Sequence, residues 1–193
     1  EQKIAHEQLA YLASHDPLTG LYNRHHFLNL AQNAWIRLSL DKQTSAILFI
    51  DIDQFKLVNT TCNHDAGDAL LKQISDQLRR TLGQQGALAR LGGDEFGVLL
   101  HGKTAQEAFS VAYALLEVVK EFRFFWQDSL FSISVSIGIS EIAPEDLSAE
   151  QTLKKADSAC FVAKEKGRNR IHLFNPDDVE LQKHEAEIHW LHV

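Results

Sequence analysis

An alternation of helical and strand-like segments predicts an α/β (α+β) layer fold for this chain of 193 residues. Three observations carry that expectation. Apolar residues recur at three- and four-residue spacing in several long stretches, the signature of amphipathic helices. "SAILFI", from Ser45 to Ile50, is a continuous apolar run of the kind found in strands covered on both faces. "ALARLGGDEFGVLL", from Ala87 to Leu100, sets two short apolar strands around Gly-Gly-Asp-Glu, which reads as a hairpin.

Taken in order, residues 1–14 place Ile4, Leu9 and Leu12 at helical spacing among charged residues. "HDPLTGLYNR" is turn chemistry, Asp-Pro followed by Thr-Gly. A helix to about Leu40 carries Phe27, Leu28, Leu30, Ala31, Trp35 and Leu38. The "SAILFI" strand ends abruptly at Asp51 and Asp53, and an irregular stretch follows. A helix from about Asp65 to Leu82 aligns Leu70, Leu71, Ile74 and Leu78. After the hairpin, Thr104-Ala105-Gln106-Glu107 spells a capping box opening a helix to about Val119. "FRFFW" and "FSISVSIGIS" read as two strands around a turn at Gln127-Asp128. A helix from about Ala149 to Lys166 is closed by Gly167, "RIHLF" is a last strand, and a fresh helix begins at Asn175.

Composition narrows the function classes. With 45% apolar residues the chain can bury a core. The net charge of −7 argues against a nucleic-acid partner and against direct contact with an anionic membrane. It is compatible with a nucleotide held by a few placed cations and a metal. The two cysteines, Cys62 and Cys160, form no disulfide framework and no zinc site, and a reducing compartment fits. No apolar run approaches the roughly 20 residues of a membrane span. The chain has no methionine, so it reads as a segment of a longer protein.

Two phosphate-binding spellings overlap in the stretch Ala89–Thr104. "GVLLHGKT", Gly97 to Thr104, satisfies the P-loop pattern literally. A P-loop must be a loop, however, and Val98, Leu99 and Leu100 belong to an apolar strand, while Thr104 already serves as a helix cap. The bland reading of that stretch is a strand exit and a capped helix. "GGDEF", Gly92 to Phe96, is by itself an acidic hairpin turn. A second acid lifts it: Asp51 ends a buried strand, where a carboxylate is costly unless solvated, paired or metal-bound. If that strand lies beside the hairpin, Asp51 and Asp94 converge on a site suited to Mg²⁺, a cation that prefers oxygen ligands and keeps waters or phosphates in its shell.

Over about residues 8–174 the sequence resembles the GGDEF family of diguanylate cyclases. "HDPLTGLYNR", "DIDQFKLVNTTCNHDAGDALL", an intact GGDEF, "SVSIGIS" and "ADSACFVAKEKGRNRI" resemble the family's ordered blocks at family spacing. The resemblance implies a palm-like mixed, mainly antiparallel central sheet flanked by helices, similar to nucleotide cyclases and polymerases. It implies condensation of two GTP molecules to cyclic di-GMP with release of two pyrophosphates, each domain holding one GTP, so that activity needs two domains face to face as a homodimer. Carried over residue by residue, Asp51, Asp94 and the backbone carbonyl of Ile52 would bind Mg²⁺ or Mn²⁺. Asp94 would also be the base for the 3′-hydroxyl, with Glu95 supporting a second metal or the dimer contact. Lys56 would stabilise phosphate charge, and Lys164 and Arg168, four apart and so on one helix face, would hold the terminal phosphates. Asn59 and Asp68 would read guanine, with His64 nearby, and Gly92 and Gly93 would let the backbone approach the nucleotide.

Each of these has a bland alternative: Lys164 and Arg168 a solvated last helical turn, Lys56 a loop lysine, Asn59 a turn former, Asp68 a first-turn acid. Only the joint pattern favours the functional roles. Cys62 and Cys160 read as structural, Cys160 in the core. "HEAEIH" is similar to a zinc-protease helix, but His184 and His189 stand five apart, about 140° around a helix, and cannot share a metal. Departures from the family pattern are Thr60 for Asp, Asn63 for Gly, and Gly83-Gln84-Gln85-Gly86 where many members carry an R-x-x-D product-inhibition site. The expected layout is an N-terminal signalling helix (1–14), a GGDEF domain (15–174) and a C-terminal linker helix (175–193) that resembles linkers to EAL phosphodiesterase domains. An upstream sensor domain and a downstream EAL domain are the implied partners. The expected setting is cytoplasmic, with the cytoplasmic portion of a membrane-anchored protein as one form of it. A second expectation stands beside the active cyclase: a GTP-binding regulatory module for a neighbouring hydrolase.

Overall fold

The computed structural model describes residues 1–178. Its elements are α1 (Gln2–Ser14), α2 (Arg24–Asp41), β1 (Ser45–Ile52), α3 (Phe55–Thr61), α4 (His64–Leu82), β2 (Ala87–Gly92), β3 (Glu95–His101), α5 (Ala105–Glu121), β4 (Arg123–Trp126), β5 (Ser129–Ser132), β6 (Val135–Glu141), α6 (Ala149–Glu165) and β7 (Arg170–Leu173). Five strands form the central sheet in the order β2-β3-β1-β6-β7. All pairs are antiparallel except β6 with β7. This is the mixed, mainly antiparallel, helix-flanked sheet that the sequence implies.

β1 is buried along its whole length, and its side chains alternate between two cores. Ala46, Leu48, Ile50 and Ile52 face a core shared with α4 and α5, where Leu70, Ile74, Leu78 and Leu115 are buried. Ile47 and Phe49 face the other side with Phe27 and Ala31 of α2 and Leu153, Ala156 and Cys160 of α6. The odd-numbered parity continues into Asp51, which therefore emerges on the α6 side of the sheet. Two-sided coverage explains why the strand needs no polar alternation.

α6 lies unusually close to the sheet. A Cβ on Gly138 of β6 would stand 2.0 Å from the Ala156 carbonyl oxygen and 2.3 Å from the Cys160 nitrogen. Glycine at that one position lets the helix backbone rest on the strand, and the small residues Ala156, Ala159, Cys160 and Ala163 complete the contact. Burial pushes the Cys160 thiol up, so it is an inert packing residue, as expected.

The stretch "GVLLHGKT" is resolved by burial. Val98, Leu99 and Leu100 are fully buried strand residues. Thr104 caps α5 in a reciprocal capping box with Glu107.

Three local readings are corrected. The stretch after β1 is not wholly irregular but holds α3, opened by Gln54 in the left-handed region. "FSISVSIGIS" is not one strand: β5 pairs with β4 in a separate ribbon, and β6 begins at Val135 in the central sheet. The break falls at Ser134, whose carbonyl accepts from the Asp53 N–H at 2.9 Å and whose hydroxyl bonds the Asp53 carboxylate. Finally, α6 stops at Glu165, so Arg168 does not share its face with Lys164. Gly167 N–H bonds the Lys164 carbonyl and Arg168 N–H bonds that of Ala163, which is a Schellman closure. The helix expected from Asn175 begins as a turn at 176–178; the rest of it, with His184 and His189, lies outside the described residues.

Candidate active site

β1 lies beside the hairpin, which meets the condition for Asp51 and Asp94 to converge. β3 pairs with β1 so that Glu95 stands opposite Asp51, and Ser136 of β6 stands opposite Asp51 on the other side. Gly93 and Asp94 form the tight turn between β2 and β3, with Gly92 at φ 150° and Gly93 at φ 46°. Those angles favour glycine, and no atom lies within 4 Å of where a Cβ would sit on either residue, so the backbone there is open to approach. The Ile52 N–H donates to the Asp94 carbonyl at 3.2 Å, which locks the turn to the strand end.

Arg90 braces the same turn from behind. Its Nε donates to the Gly93 carbonyl at 2.9 Å, and its Nη1 bonds both Asp16 carboxylate oxygens at 3.2 and 3.3 Å. Asp16 in turn accepts from the backbone and hydroxyl of Thr19. The entry turn after α1 is thus wired to the hairpin.

Asp51 is 8% exposed. Its Oδ2 accepts from Lys164 Nζ of α6 at 2.6 Å, while its Oδ1 is buried with no hydrogen-bond partner. Burial pushes the Asp51 carboxyl up to about 7; Lys164 opposes this, and the charge and carboxyl of Asp94 add to it. Burial pulls the Lys164 ammonium down, but Asp51, helped by Asp94, outweighs it and holds the ammonium above its ordinary value. Burial, then the charges of Asp157 and Asp94, raise Glu95, with Arg24 and Lys164 opposing. Asp157 is raised by burial against the pull of Lys164 and Arg24.

Asp51 and Asp94 therefore crowd one strand end with more negative charge than one ammonium neutralises. A buried carboxylate oxygen without a donor suits a hard divalent cation. No group of three or more His, Cys, Asp or Glu side chains among the described residues forms a metal cage. The fit is that of an open site: two carboxylates and the neighbouring Ile52 carbonyl, the remaining positions left to water or phosphate.

The other expected residues lie on α3 and the start of α4. Lys56 is exposed on α3, and Asn59 follows one turn later, half-buried. Asn59 Oδ1 is buried without a donor and sits against Gly67 of α4, where a Cβ would approach it to 1.9 Å. His64 and Asp68 are exposed on the opening turns of α4. Asn63 is the α4 N-cap, its side chain accepting from Ala66 N–H at 2.9 Å, which gives that departure a structural reason. Arg168 is exposed, in the turn after α6, and its guanidinium has no partner among the described residues.

Asp157 and Arg24 were not singled out from sequence, and Asp53 was noted only as a strand end. The signal for Asp157 was available: it stands seven residues before Lys164 on one helix, hence on the same face. Asp53 shares the parity of Asp51. Arg24 had no local signal. A cavity of about 210 Å³ lined by His15, Tyr22, Arg79, Gly83 and Gly86 shares no residue with this site.

Comparison with known proteins identifies the family and the fold. The family described as "Diguanylate cyclase, GGDEF domain" matches residues 13–170. The chain is 35% identical over 93% of its length to the protein named "Probable diguanylate cyclase DgcE" of Escherichia coli, covering 16% of it. It is 33% identical over 94% of its length to the cyclic di-GMP phosphodiesterase PdeB of Shewanella oneidensis, covering 21% of that protein. Its fold is similar to the coiled coil and GGDEF domain of DgcB from Caulobacter crescentus in complex with c-di-GMP, with a TM-score of 0.82 and 26% identity over 89% of this chain and 91% of that one. The GGDEF domain of YfiN (TpbB) from Pseudomonas aeruginosa superposes with a TM-score of 0.81 at 32% identity, covering 88% of this chain and 99% of that one.

Proposed function

The chain belongs to the GGDEF diguanylate cyclase family, and from that premise we propose that it joins two GTP molecules into cyclic di-GMP, releasing two pyrophosphates, with two such domains face to face. The single observation that carries the reading is the convergence of Asp51, Asp94 and Lys164 on the end of β1.

In this reading the 3′-hydroxyl oxygen of one GTP attacks the α-phosphorus of the other, the bond to pyrophosphate breaks, and the hydroxyl proton passes to Asp94. Asp51, Asp94 and the Ile52 carbonyl would hold Mg²⁺ or Mn²⁺, which when bound would neutralise charge developing on the phosphate oxygens. With such a cation bound, Asp51 would be deprotonated and Lys164 would be free to turn from Asp51 to the nucleotide phosphates. Lys164, Arg168 and Lys56 supply the fixed positive charge that such a transfer needs. Glu95 stands beside Asp94 to support a second cation or the facing domain. Asn59 and Asp68 pair with the guanine edge, with His64 beside them, and Gly92 and Gly93 keep the approach to the phosphates open.

The domain layout of 1–14, 15–174 and 175–193, an upstream sensor and a downstream EAL domain belong to the same proposal, as does a cytoplasmic setting. No helix among the described residues is long and apolar enough to cross a membrane. With Gly83-Gln84-Gln85-Gly86 in place of R-x-x-D, we propose that cyclic di-GMP exerts no feedback at that surface. Calorimetry with cyclic di-GMP tests this, and tight binding of a product dimer there would refute it.

One observation favours a second reading, a GTP-binding regulatory module: a relative at 33% identity is named a cyclic di-GMP phosphodiesterase. Incubation with GTP and Mg²⁺, followed by chromatography, separates the two. Cyclic di-GMP formation that Asp94→Ala abolishes supports the cyclase. GTP binding without product, even in a forced dimer, establishes the regulatory module.

A further inference from the structure

Asp53 ends the same D-x-D block as Asp51, yet the two carboxylates are built oppositely. Asp51 keeps a buried oxygen without a donor. Both oxygens of Asp53 are taken: Oδ1 accepts from Ser136 Oγ at 2.6 Å, and Oδ2 accepts from Ser134 Oγ at 2.6 Å and from the Asn169 N–H at 3.0 Å. Asp53 is 9% exposed and Ser136 fully buried. A carboxylate saturated in this way has little capacity left for a cation.

The third of those bonds reaches the turn that follows α6. Gly167, Arg168 and Asn169 have φ values of 119°, 62° and 48°, so two non-glycine residues in succession are left-handed. Asn169 tolerates that region better than Arg168, for which it is strained, and the arrangement persists only where its surroundings impose it. The Schellman bonds fix the start of the turn, and the Asp53–Asn169 bond fixes its end, just before β7 pairs alongside β6 at Ser136–Arg170. Arg168 is held between those two clamps.

We propose that Asp53 is a positioning residue for nucleotide binding: by anchoring the Asn169 amide it holds the left-handed turn that presents Arg168 to the terminal phosphates. This rests on the proposed GTP site and adds to it a residue that acts through another. Asp53 touches neither metal nor substrate; it joins the end of β1, the start of β6 and the α6–β7 turn into one frame.

Calorimetry with 3′-deoxy-GTP and Mg²⁺, a nucleotide that cannot cyclise, tests the inference. Asp53→Asn, which turns the charged acceptor of the Asn169 bond into a neutral amide, should weaken binding about tenfold. In an Arg168→Ala background the same change should cost no more than about twofold, because the two act as one unit. The Mn²⁺ affinity should match that of the wild type, and the Asn169 amide should exchange hydrogen faster. Full additivity with Arg168→Ala, or loss of Mn²⁺ binding, would overturn the proposal. If Asp53→Asn does not fold, Ser134→Ala with Ser136→Ala keeps the Asn169 bond and should lose stability while retaining affinity. A tenfold affinity loss there would assign the effect to β6 packing and overturn the proposal equally. A wild-type chain that binds no 3′-deoxy-GTP would instead refute the GTP site itself, while amide exchange still decides whether Asp53 holds the turn.

Discussion

Lys164 Nζ lies 2.6 Å from Asp51 Oδ2, an ion pair joining α6 to the end of β1 across 113 positions of sequence. It sets the electrostatic state of the site before any nucleotide arrives. The ammonium takes one oxygen of a carboxylate whose other oxygen has no donor, and Asp94 crowds the same point. Under the proposed function, metal and nucleotide binding would be coupled through one side chain, because a cation on Asp51 would free Lys164 for phosphate.

The first consequence is a competition. Replacing Lys164 by Met removes the resident cation from Asp51, so Mn²⁺ binding without nucleotide should tighten by about tenfold, the scale of one unit of charge interaction. GTP affinity should fall in the same variant. Electron paramagnetic resonance of free Mn²⁺ reads the first and calorimetry the second. Weaker Mn²⁺ binding in Lys164→Met would contradict the competition.

Stability should fall between pH 5 and pH 8 in the metal-free chain. Burial, with Asp94, raises Asp51 from 3.8 to about 7, so across this window the folded chain retains a proton that the unfolded chain has released. Its contribution is complete below about pH 4 and lost as pH rises through about 7. Glu95 and Asp157 are raised too and act with the same sign. Urea unfolding in EDTA at both pH values measures the slope, which Asp51→Asn should reduce. An unchanged slope in that variant would remove Asp51 as its source.

Gly138→Ala should be among the most destabilising single changes in the chain. The added methyl would meet the Ala156 carbonyl and the Cys160 nitrogen, backbone atoms that cannot rotate away. Lifting α6 off β6 should cost at least about 3 kcal/mol, read as a loss of the folded baseline in thermal denaturation. A melting temperature within about 2 °C of wild type would show that the helix rides higher than described, since 1 kcal/mol shifts a domain of this size by about 2–4 °C and 3 kcal/mol by correspondingly more.

Arg90→Ala should loosen the hairpin without unfolding the sheet. It deletes the bond to the Gly93 carbonyl and strands Asp16, half-buried, without its cation. Hydrogen exchange at residues 92–94 should accelerate while the buried β1 amides stay protected. Uniform acceleration across both would mean that Arg90 supports the whole fold.

Much of this site was legible in the sequence because local chemistry fixed it. The apolar run of β1 forced a central strand, and its parity placed Asp51 on one face. The Gly-Gly turn demanded a tight hairpin, and Thr104 with Glu107 announced the α5 start. α3 was not legible: Val58, Asn59, Thr60 and Thr61 are poor helix formers, and packing against α4 holds them. The β5–β6 break was hidden because alternation continues through Ile133 and Ser134, and the interruption comes from Asp53, about eighty residues away. Arg168 was misplaced because Gly167 was read as a cap without following the chain past it. The Asp51–Lys164 contact depends on how closely α6 rests on Gly138, a distance that no local pattern encodes.

The central claim is that the Asp51–Asp94 site performs a cyclisation. Its most direct test is chromatographic quantitation of cyclic di-GMP made by a forced dimer of this chain at saturating GTP and Mg²⁺, beside an Asp94→Asn dimer. The account predicts product from the first and a loss of at least about a hundredfold in the second, the scale for removing a catalytic proton acceptor. Product formed by Asp94→Asn at the wild-type rate, or none from the wild-type dimer with GTP bound, would contradict it.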